Sequence, residues 1–193
     1  MIENHLPAEK PHINRIPRSI WLLNDSKPPY QRHKPCRIVV HHSYAPTSAQ
    51  FAGDKTIRGI YNYHVKDKGW ADIGYHFLVS PDGATIYDGR PVDAIGAHTG
   101  GNPPKCVDRI FGNTGSVGIC LIGNYDAEKP TTVALNTLAM LIVDLCEKWQ
   151  IDSRQIYGHC EAWSTPPKTC PGKNLFIDLF GVNRWEKCFG KQK

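Results

Sequence analysis

Arg37-Ile-Val-Val-His-His42 is the stretch of this chain that most directly indicates its fold. Its β-branched apolar run is typical of a buried strand at the centre of a sheet. His41 lies near the end of that predicted strand. A second short strand, Gln155-Ile-Tyr-Gly158, leads directly into His159. The two imidazoles are therefore expected to project from neighbouring strand ends.

Further strand patterns lie on either side of the central run. Residues 74–80 and 84–87 flank a Pro-Asp-Gly turn and predict a β-hairpin. Residues 116–122 predict another buried strand, and residues 92–97 a further short one. The sheet is therefore expected to contain several strands besides the central one.

Helical periodicity separates these strands. Apolar residues recur at helical spacing over 54–66, over 132–149 and from about 174 to 180. Strands mixed with about three helices predict an α/β fold, with a central mixed β-sheet in a single domain. Residues 1–35 are rich in Pro, Lys, His and Asn and predict an extended N-terminal arm packed on a domain formed by residues 36–193.

The composition restricts the expected partners. Of the 193 residues, 40% are hydrophobic and 21% charged, and no apolar run approaches the roughly 20 residues of a membrane-spanning helix. A net charge of +5 favours an anionic polymer by long-range attraction, but no basic stripe interleaved with aromatics indicates nucleic-acid binding. Residues 1–10 lack the pattern of a secretion signal, so we expect cytosolic synthesis, or secretion with the signal removed.

Seven cysteines leave two interpretations open. If Cys170 binds a metal, the other six could pair as disulfides. Cys120 and Cys146 lie in apolar stretches, where a free thiol packs as a small hydrophobic side chain. The sequence therefore does not decide between disulfides and free thiols.

Three widely separated residues suggest a metal site. His41 and His159 follow predicted strands, and Cys170 precedes Pro-Gly at the end of a loop. Three protein ligands leave a fourth position open, as in catalytic rather than structural zinc sites. Cys160 is a rival ligand, but it adjoins His159, and adjacent side chains leaving a strand point to opposite faces. Cys170 is therefore the preferred third ligand.

Several motifs in fixed order carry a family resemblance. They are Val39-Val-His-His-Ser-Tyr44, Gly69-Trp-Ala-Asp-Ile-Gly-Tyr-His-Phe77, Ile95-Gly-Ala-His98, Ser116-Val-Gly-Ile119 and Cys170-Pro-Gly172. Together they resemble the type 2 N-acetylmuramoyl-L-alanine amidases, a family that includes the peptidoglycan recognition proteins and the lysozyme-type amidases of phages. The similarity runs from Arg37 to Leu175, and Arg18-Ser-Ile-Trp21 resembles the arm preceding the domain in recognition proteins.

The resemblance implies a reaction and its residues. The family hydrolyses the amide between the lactyl group of N-acetylmuramic acid and L-alanine of the stem peptide, and one zinc ion would be held by His41, His159 and Cys170. Tyr75 and Lys168 would be catalytic and stabilise the oxyanion of the tetrahedral transition state, although Tyr75 could instead orient the attacking water. The step from His159 to Cys170 is longer than is common in the family, which leaves the register of Lys168 open.

The resemblance also implies a partner, bacterial peptidoglycan or its muramyl peptides, bound by a monomer. Candidate substrate contacts are His98, Asn113, Tyr44 and Trp70. A core role for Trp70 is an equally good interpretation. Tyr75 could also be a plain strand residue and Lys168 a solvated loop lysine.

Two other functions compete with catalysis. A peptidoglycan-binding receptor of the same fold would keep the groove without the metal, but such receptors typically replace the third ligand, which is present here as Cys170. A structural zinc or disulfide-stapled module would instead require a closed four-ligand site. Lysis or remodelling of the bacterial wall, as by an endolysin, is the preferred setting, with wall recycling or immunity as alternatives.

Overall fold

A computed structural model describes residues 13–23, 28–100, 112–162 and 169–190 of the chain. Its strands are β1 (Asn14–Ile16), β2 (Arg37–His42), β3 (Phe77–Val79), β4 (Thr85–Asp88), β5 (Ser116–Leu121) and β6 (Ile156–Gly158). They form one sheet in the order β1-β4-β3-β5-β2-β6. The β3–β4 pair is antiparallel and the other described pairs are parallel, so the predicted mixed sheet is confirmed.

Strand β2 lies between β5 and β6 and is parallel to both. All six of its residues are buried, as a strand covered on both faces requires. Ile38 and Val40 belong to the larger hydrophobic core. Because side chains alternate along a strand, His41 lies with Val39 on the other face of the sheet. The central strand predicted from this stretch is confirmed.

Helices cover both faces of this sheet. In the described ranges they are α1 (Arg18–Trp21), α2 (Asp54–Asn62), α3 (Thr132–Trp149), α4 (Lys173–Phe180) and α5 (Val182–Phe189). Leu138 of α3 and Leu175 of α4 belong to the core on one face, whereas Trp21 and Ile57 belong to the core on the other. The α/β architecture is confirmed, with α1 and α5 in addition to the three predicted helices. No described helix combines the length and the hydrophobicity that a membrane span needs.

One predicted strand is wrong and one hairpin is right. Strands β3 and β4 form the predicted antiparallel hairpin. Residues 92–97 form no strand, and within them Ala94 makes only an isolated bridge. The carbonyl of Ala94 instead binds His76 Nε2 (2.9 Å), and the carbonyl of Ile95 accepts from Arg90 Nη1 (2.7 Å). The backbone of this segment thus bonds to buried side chains and, through the isolated bridge, to the backbone of Gln31 and His33, but it does not form a continuous strand ladder.

The described part of the predicted arm is tied to the sheet. Strand β1 pairs with β4, and Trp21 at the end of α1 is fully buried. Both Arg18 terminal nitrogens donate to the buried carboxylate of Asp72, at 2.9 and 2.7 Å. The division of the chain at residue 35 stays a prediction.

The cysteines are in mixed states. Cys36, immediately before β2, is disulfide-bonded. The other described cysteines are free thiols, and they are Cys120, Cys146, Cys160, Cys170 and Cys188. Both interpretations of the cysteines therefore apply, each to different residues.

Candidate metal centre

Three candidate ligands meet at the carboxyl ends of the neighbouring strands β2 and β6. His41 is the penultimate residue of β2, His159 follows β6, and Cys170 comes from the loop before α4. One donor atom from each lies within 4.8 Å of the other two. The Cys170 Sγ is 3.6 Å from His41 Nδ1. The structure therefore brings together the three residues predicted to hold a metal.

The parallel pairing of β2 and β6 explains this convergence. Val40 is the register partner of Gly158, so the residues that follow them, His41 and His159, lie side by side with ring centroids 4.4 Å apart. The backbone N–H of Cys160 donates to the carbonyl of Cys170 at 2.6 Å, which brings the loop of the third ligand to the same strand ends.

Glycine permits the close approach of that loop. A Cβ at Gly158 would lie 2.7 Å from the Phe176 ring and 2.9 Å from Pro171. Gly172 has φ +94°, and a Cβ there would lie 2.4 Å from the backbone of Tyr125. Side chains at either position would push the Cys170 loop away from the strand ends.

The donor set fits zinc. Two imidazoles and one thiolate are ligands that Zn²⁺ prefers, and three protein donors leave room for a fourth ligand. His41 and His159 are 1% and 8% exposed, so few water molecules compete for their nitrogens. Burial raises the pKa of the Cys160 thiol, which disfavours the thiolate needed of a ligand. Cys160 is also absent from the donor group formed by the described residues.

His98 and Asn113, the predicted substrate contacts, lie behind the metal ligands and are each 7% exposed. The Nδ1 of His98 is 2.9 Å from Nε2 of His41. Asn113 Oδ1 accepts from the backbone N–H of His98 (2.7 Å) and of Thr99 (2.9 Å). Burial lowers the pKa of His98 well below its usual value, so the ring is neutral. The described contacts of these two residues are therefore with the protein itself.

Tyr75 borders the ligand set. Its ring centroid is 5.3 Å from that of His41, and the side chain is half-buried. Desolvation, reinforced by the nearby thiols of Cys120 and Cys170, raises the pKa of Tyr75 well above 10. The hydroxyl therefore stays protonated at neutral pH and is able to donate a hydrogen bond.

Trp70 and Tyr44, the other predicted substrate contacts, differ in their surroundings. Trp70 stacks on His64, with centroids 4.6 Å apart and an interplanar angle of 27°. Tyr44 is 62% exposed, has φ +62° and lies 5.9 Å from the ring of His42. Exposure leaves Tyr44 available to a ligand, whereas the Trp70 ring is partly committed to an internal stack. Lys168 lies outside the described residues.

His42 faces away from the metal ligands, as strand alternation predicts for a neighbour of His41. Its Nδ1 accepts from the backbone N–H of Tyr125 at 3.2 Å. Sequence reasoning did not foresee the contact of His98 with His41. The glycines of Ile95-Gly-Ala-His98 and Ser116-Val-Gly-Ile119 were the available signal, because both turn out to border the His98 ring.

The fold and the donor set together define an α/β domain with a candidate zinc centre at the ends of parallel strands. A family model described as N-acetylmuramoyl-L-alanine amidase matches residues 31–173, well over half of the chain. The chain therefore belongs to the N-acetylmuramoyl-L-alanine amidase family, which confirms the resemblance drawn from its motifs.

Individual relatives come from insects and from phages. Peptidoglycan-recognition protein SC2 of Drosophila melanogaster is 34% identical over 152 residues, which cover 77% of this chain and 74% of that protein. The endolysin of Klebsiella phage KP32 is 32% identical over 160 residues, which cover 80% of this chain and 87% of the endolysin.

Solved structures show the same fold. Wild-type Drosophila peptidoglycan-recognition protein LB matches with a TM-score of 0.68 at 32% identity, covering 88% of this chain and 94% of that one. Peptidoglycan recognition protein LE, solved with tracheal cytotoxin (monomeric diaminopimelic acid-type peptidoglycan), matches with a TM-score of 0.64 at 29% identity, covering 94% and 96%.

Proposed function

We propose that this protein is a zinc-dependent N-acetylmuramoyl-L-alanine amidase. It would hydrolyse the amide between the lactyl group of muramic acid and L-alanine of the peptidoglycan stem peptide. The observation that supports this most strongly is the group of His41, His159 and Cys170, whose donor atoms lie within 4.8 Å of one another. Membership of the amidase family supports the choice of bond.

The residues of this chain would have the following roles in the reaction. His41, His159 and Cys170 would hold the ion. When bound, zinc supplies a Lewis acid that polarises a carbonyl and lowers the pKa of a water at the site to about 7. The protonated Tyr75 hydroxyl would donate a hydrogen bond to the carbonyl oxygen as negative charge develops on it, which stabilises the transition state more than the ground state. Lys168 would share that role.

Peptidoglycan is the proposed substrate and partner. The net charge of +5 favours approach to an anionic wall polymer. Peptidoglycan recognition protein LE was solved with a diaminopimelic acid-type peptidoglycan fragment, and one relative is a phage endolysin. We propose that this chain acts on the bacterial wall in lysis or remodelling. A receptor of the same fold would bind the polymer and leave its amide bonds intact.

Two neighbouring cysteines offer a matched test of the ligand set. Cys170→Ser should lower the zinc affinity by more than the about 10–100-fold typical of losing an outer-shell partner, and should abolish amide cleavage while the protein stays folded. Cys160→Ser is the control, because its thiol is outside the donor group of the described residues, and it should retain both zinc and cleavage. Zinc content by atomic spectroscopy, circular dichroism and a peptidoglycan digest report the three properties.

Three results would contradict the assignment. Loss of zinc in Cys160→Ser, together with retention of zinc in Cys170→Ser, would show that Cys160 and not Cys170 is the third ligand. Unfolding of Cys170→Ser would indicate a structural metal. Full cleavage by Cys170→Ser would show that the reaction does not depend on the proposed zinc site.

A further inference from the structure

We propose that His98 is a positioning residue that sets the tautomer of His41, so that His41 presents Nδ1 to the metal. The inference rests on the zinc site of the proposed function and adds a role for a residue that the family resemblance places in the substrate groove. It is carried by a chain of contacts that begins at the carbonyl of Ser116 and ends at Cys170.

The direction of the hydrogen bonds follows from the first member of this chain. The Ser116 carbonyl is 3.3 Å from His98 Nε2, and a carbonyl can only accept, so His98 Nε2 carries a hydrogen. The other nitrogen of a neutral His98 ring, Nδ1, is then an acceptor. It lies 2.9 Å from Nε2 of His41, which must therefore be the donor.

The consequence for His41 is a fixed position of its lone pair. With the hydrogen on Nε2, a neutral His41 ring has its unprotonated nitrogen at Nδ1. This is the nitrogen that lies 3.6 Å from the sulfur of Cys170, one of the two other proposed ligands. A hydrogen on Nδ1 would instead occupy the direction that a metal needs. The tautomer is thus selected before any ion arrives.

The His98 ring is held in the orientation that this role requires. A Cβ at Gly118 would lie 2.6 Å from the ring, and a Cβ at Gly96 would lie 2.5 Å from its Cδ2 atom. The ring is thus packed between two positions that only glycine can occupy without displacing it. Asn113 holds the backbone N–H of His98 at 2.7 Å. Burial of the ring also disfavours a charged His98, which would reverse the hydrogen bond to His41.

The first test reads the tautomers in the metal-free wild-type chain. Protein with ¹⁵N-labelled histidines, treated with a chelator, is examined by long-range ¹H–¹⁵N correlation spectra. We expect His41 and His98 both to carry their hydrogen on Nε2. A His41 that carries its hydrogen on Nδ1, or that exchanges equally between both tautomers, would overturn the proposal. No substrate is involved, so this result is independent of amidase activity.

The second test measures zinc affinity by competition with a chelating dye. His98→Ala removes the acceptor and should weaken zinc binding by about 10–100-fold, the usual effect of losing an outer-shell partner. His98→Asn restores an acceptor oxygen near the position of Nδ1 and should recover most of that loss. His33→Ala is the matched control. The His33 ring, like that of His98, is hydrogen-bonded through both nitrogens, but its partners are the backbone groups of Gly115 (2.7 Å) and Val92 (3.0 Å), so its loss should leave zinc affinity unchanged.

The outcomes separate this proposal from the proposed function. Equal zinc affinity in His98→Ala and the wild type, or no recovery in His98→Asn, would overturn the positioning role even if the wild type cleaves peptidoglycan. The expected tautomers and affinities in a protein that cleaves nothing would overturn the proposed function and leave the positioning role standing. If His98→Ala does not fold, the wild-type tautomers still decide.

Discussion

At the scale of single residues, the site depends on which nitrogen or sulfur atom faces its centre. His41 uses Nδ1 toward Cys170 and Nε2 toward His98, so its two nitrogens serve opposite sides of one ring. Tyr75 stands beside this ring with a hydroxyl that burial keeps protonated. The proposed reaction therefore depends on which His41 nitrogen carries the hydrogen and on a protonated Tyr75 hydroxyl.

Tyr75→Phe isolates the contribution of that hydroxyl. It removes one hydrogen-bond donor near the reacting carbonyl and leaves the metal ligands in place, so we expect kcat to fall by about 100–1,000-fold with zinc affinity unchanged. Release of stem peptide from peptidoglycan measures the first quantity and metal competition the second. An unchanged kcat would mean that Tyr75 only packs beside His41 and takes no part in the reaction.

The ligand residues could be predicted from sequence, but their surroundings could not. His41, His159 and Cys170 have the side chains that zinc prefers, and two of them follow predicted strands. The contact of His98 with His41 depends on how a distant loop packs against glycine in β5, and no local pattern encodes that distance. Lys168, outside the described residues, stays a prediction.

At the scale of elements, length and burial decided what the sequence revealed. Strand β2 and helix α3 were predictable because their apolar patterns are long or continuous. Strand β1 and helix α1 are three and four residues long and carry too little periodicity to be recognised. Residues 92–97 are predicted to form a strand, yet the carbonyls of Ala94 and Ile95 bind the buried side chains of His76 and Arg90. Short elements here are thus defined by tertiary contacts.

A buried ion pair of helix α1 and an exposed ion pair of strand β1 can be compared directly. Arg18 is 7% exposed and pairs with the fully buried Asp72. Arg18→Met removes the ion-pair partner of a buried carboxylate that keeps only its hydrogen bonds from the Tyr30 hydroxyl and the Ile73 N–H, so it should lower the free energy of unfolding by at most about 3–5 kcal/mol. Arg15 pairs with Asp88 at the surface, with 57% and 31% exposure, so Arg15→Met should cost about 0–1 kcal/mol. Urea unfolding measures both. Equal losses would mean that burial of the Arg18 pair contributes nothing.

At the scale of the whole molecule, buried neutral histidines make stability depend on pH. Burial lowers the pKa of His64 and of His76 to about 4. His76 shows why, because its Nδ1 accepts from the Gly118 N–H at 2.8 Å while Nε2 binds the Ala94 carbonyl at 2.9 Å, a pattern that only a neutral ring satisfies. The unfolded chain therefore binds more protons than the folded one between pH 6.5 and 4.

The sign of the effect follows from this difference. Because the folded-state pKa is below the unfolded value, the stabilisation is complete above pH 6.5 and is lost as the pH falls toward 4. We expect the metal-free protein to lose about 2–4 kcal/mol of unfolding free energy between pH 7 and pH 5 from these two rings. Urea unfolding at several pH values checks the slope. A flat profile, or a native His76 that titrates near 6.5 by NMR, would contradict it.

The whole molecule is also the scale at which the proposed function is decided. The family, the fold and the meeting of His41, His159 and Cys170 are all consistent with catalysis, and a receptor would share the first two. The difference between an enzyme and a receptor is a broken bond, which neither fold nor binding reveals.

Mass spectrometry of a peptidoglycan digest tests that difference most directly. The purified chain with one equivalent of zinc should release stem peptides that begin with a free L-alanine amine, and a chelator should stop their release. If the peptides remain joined to muramic acid after prolonged incubation with zinc, while the protein still sediments with the polymer, the chain is a receptor and the amidase assignment is wrong.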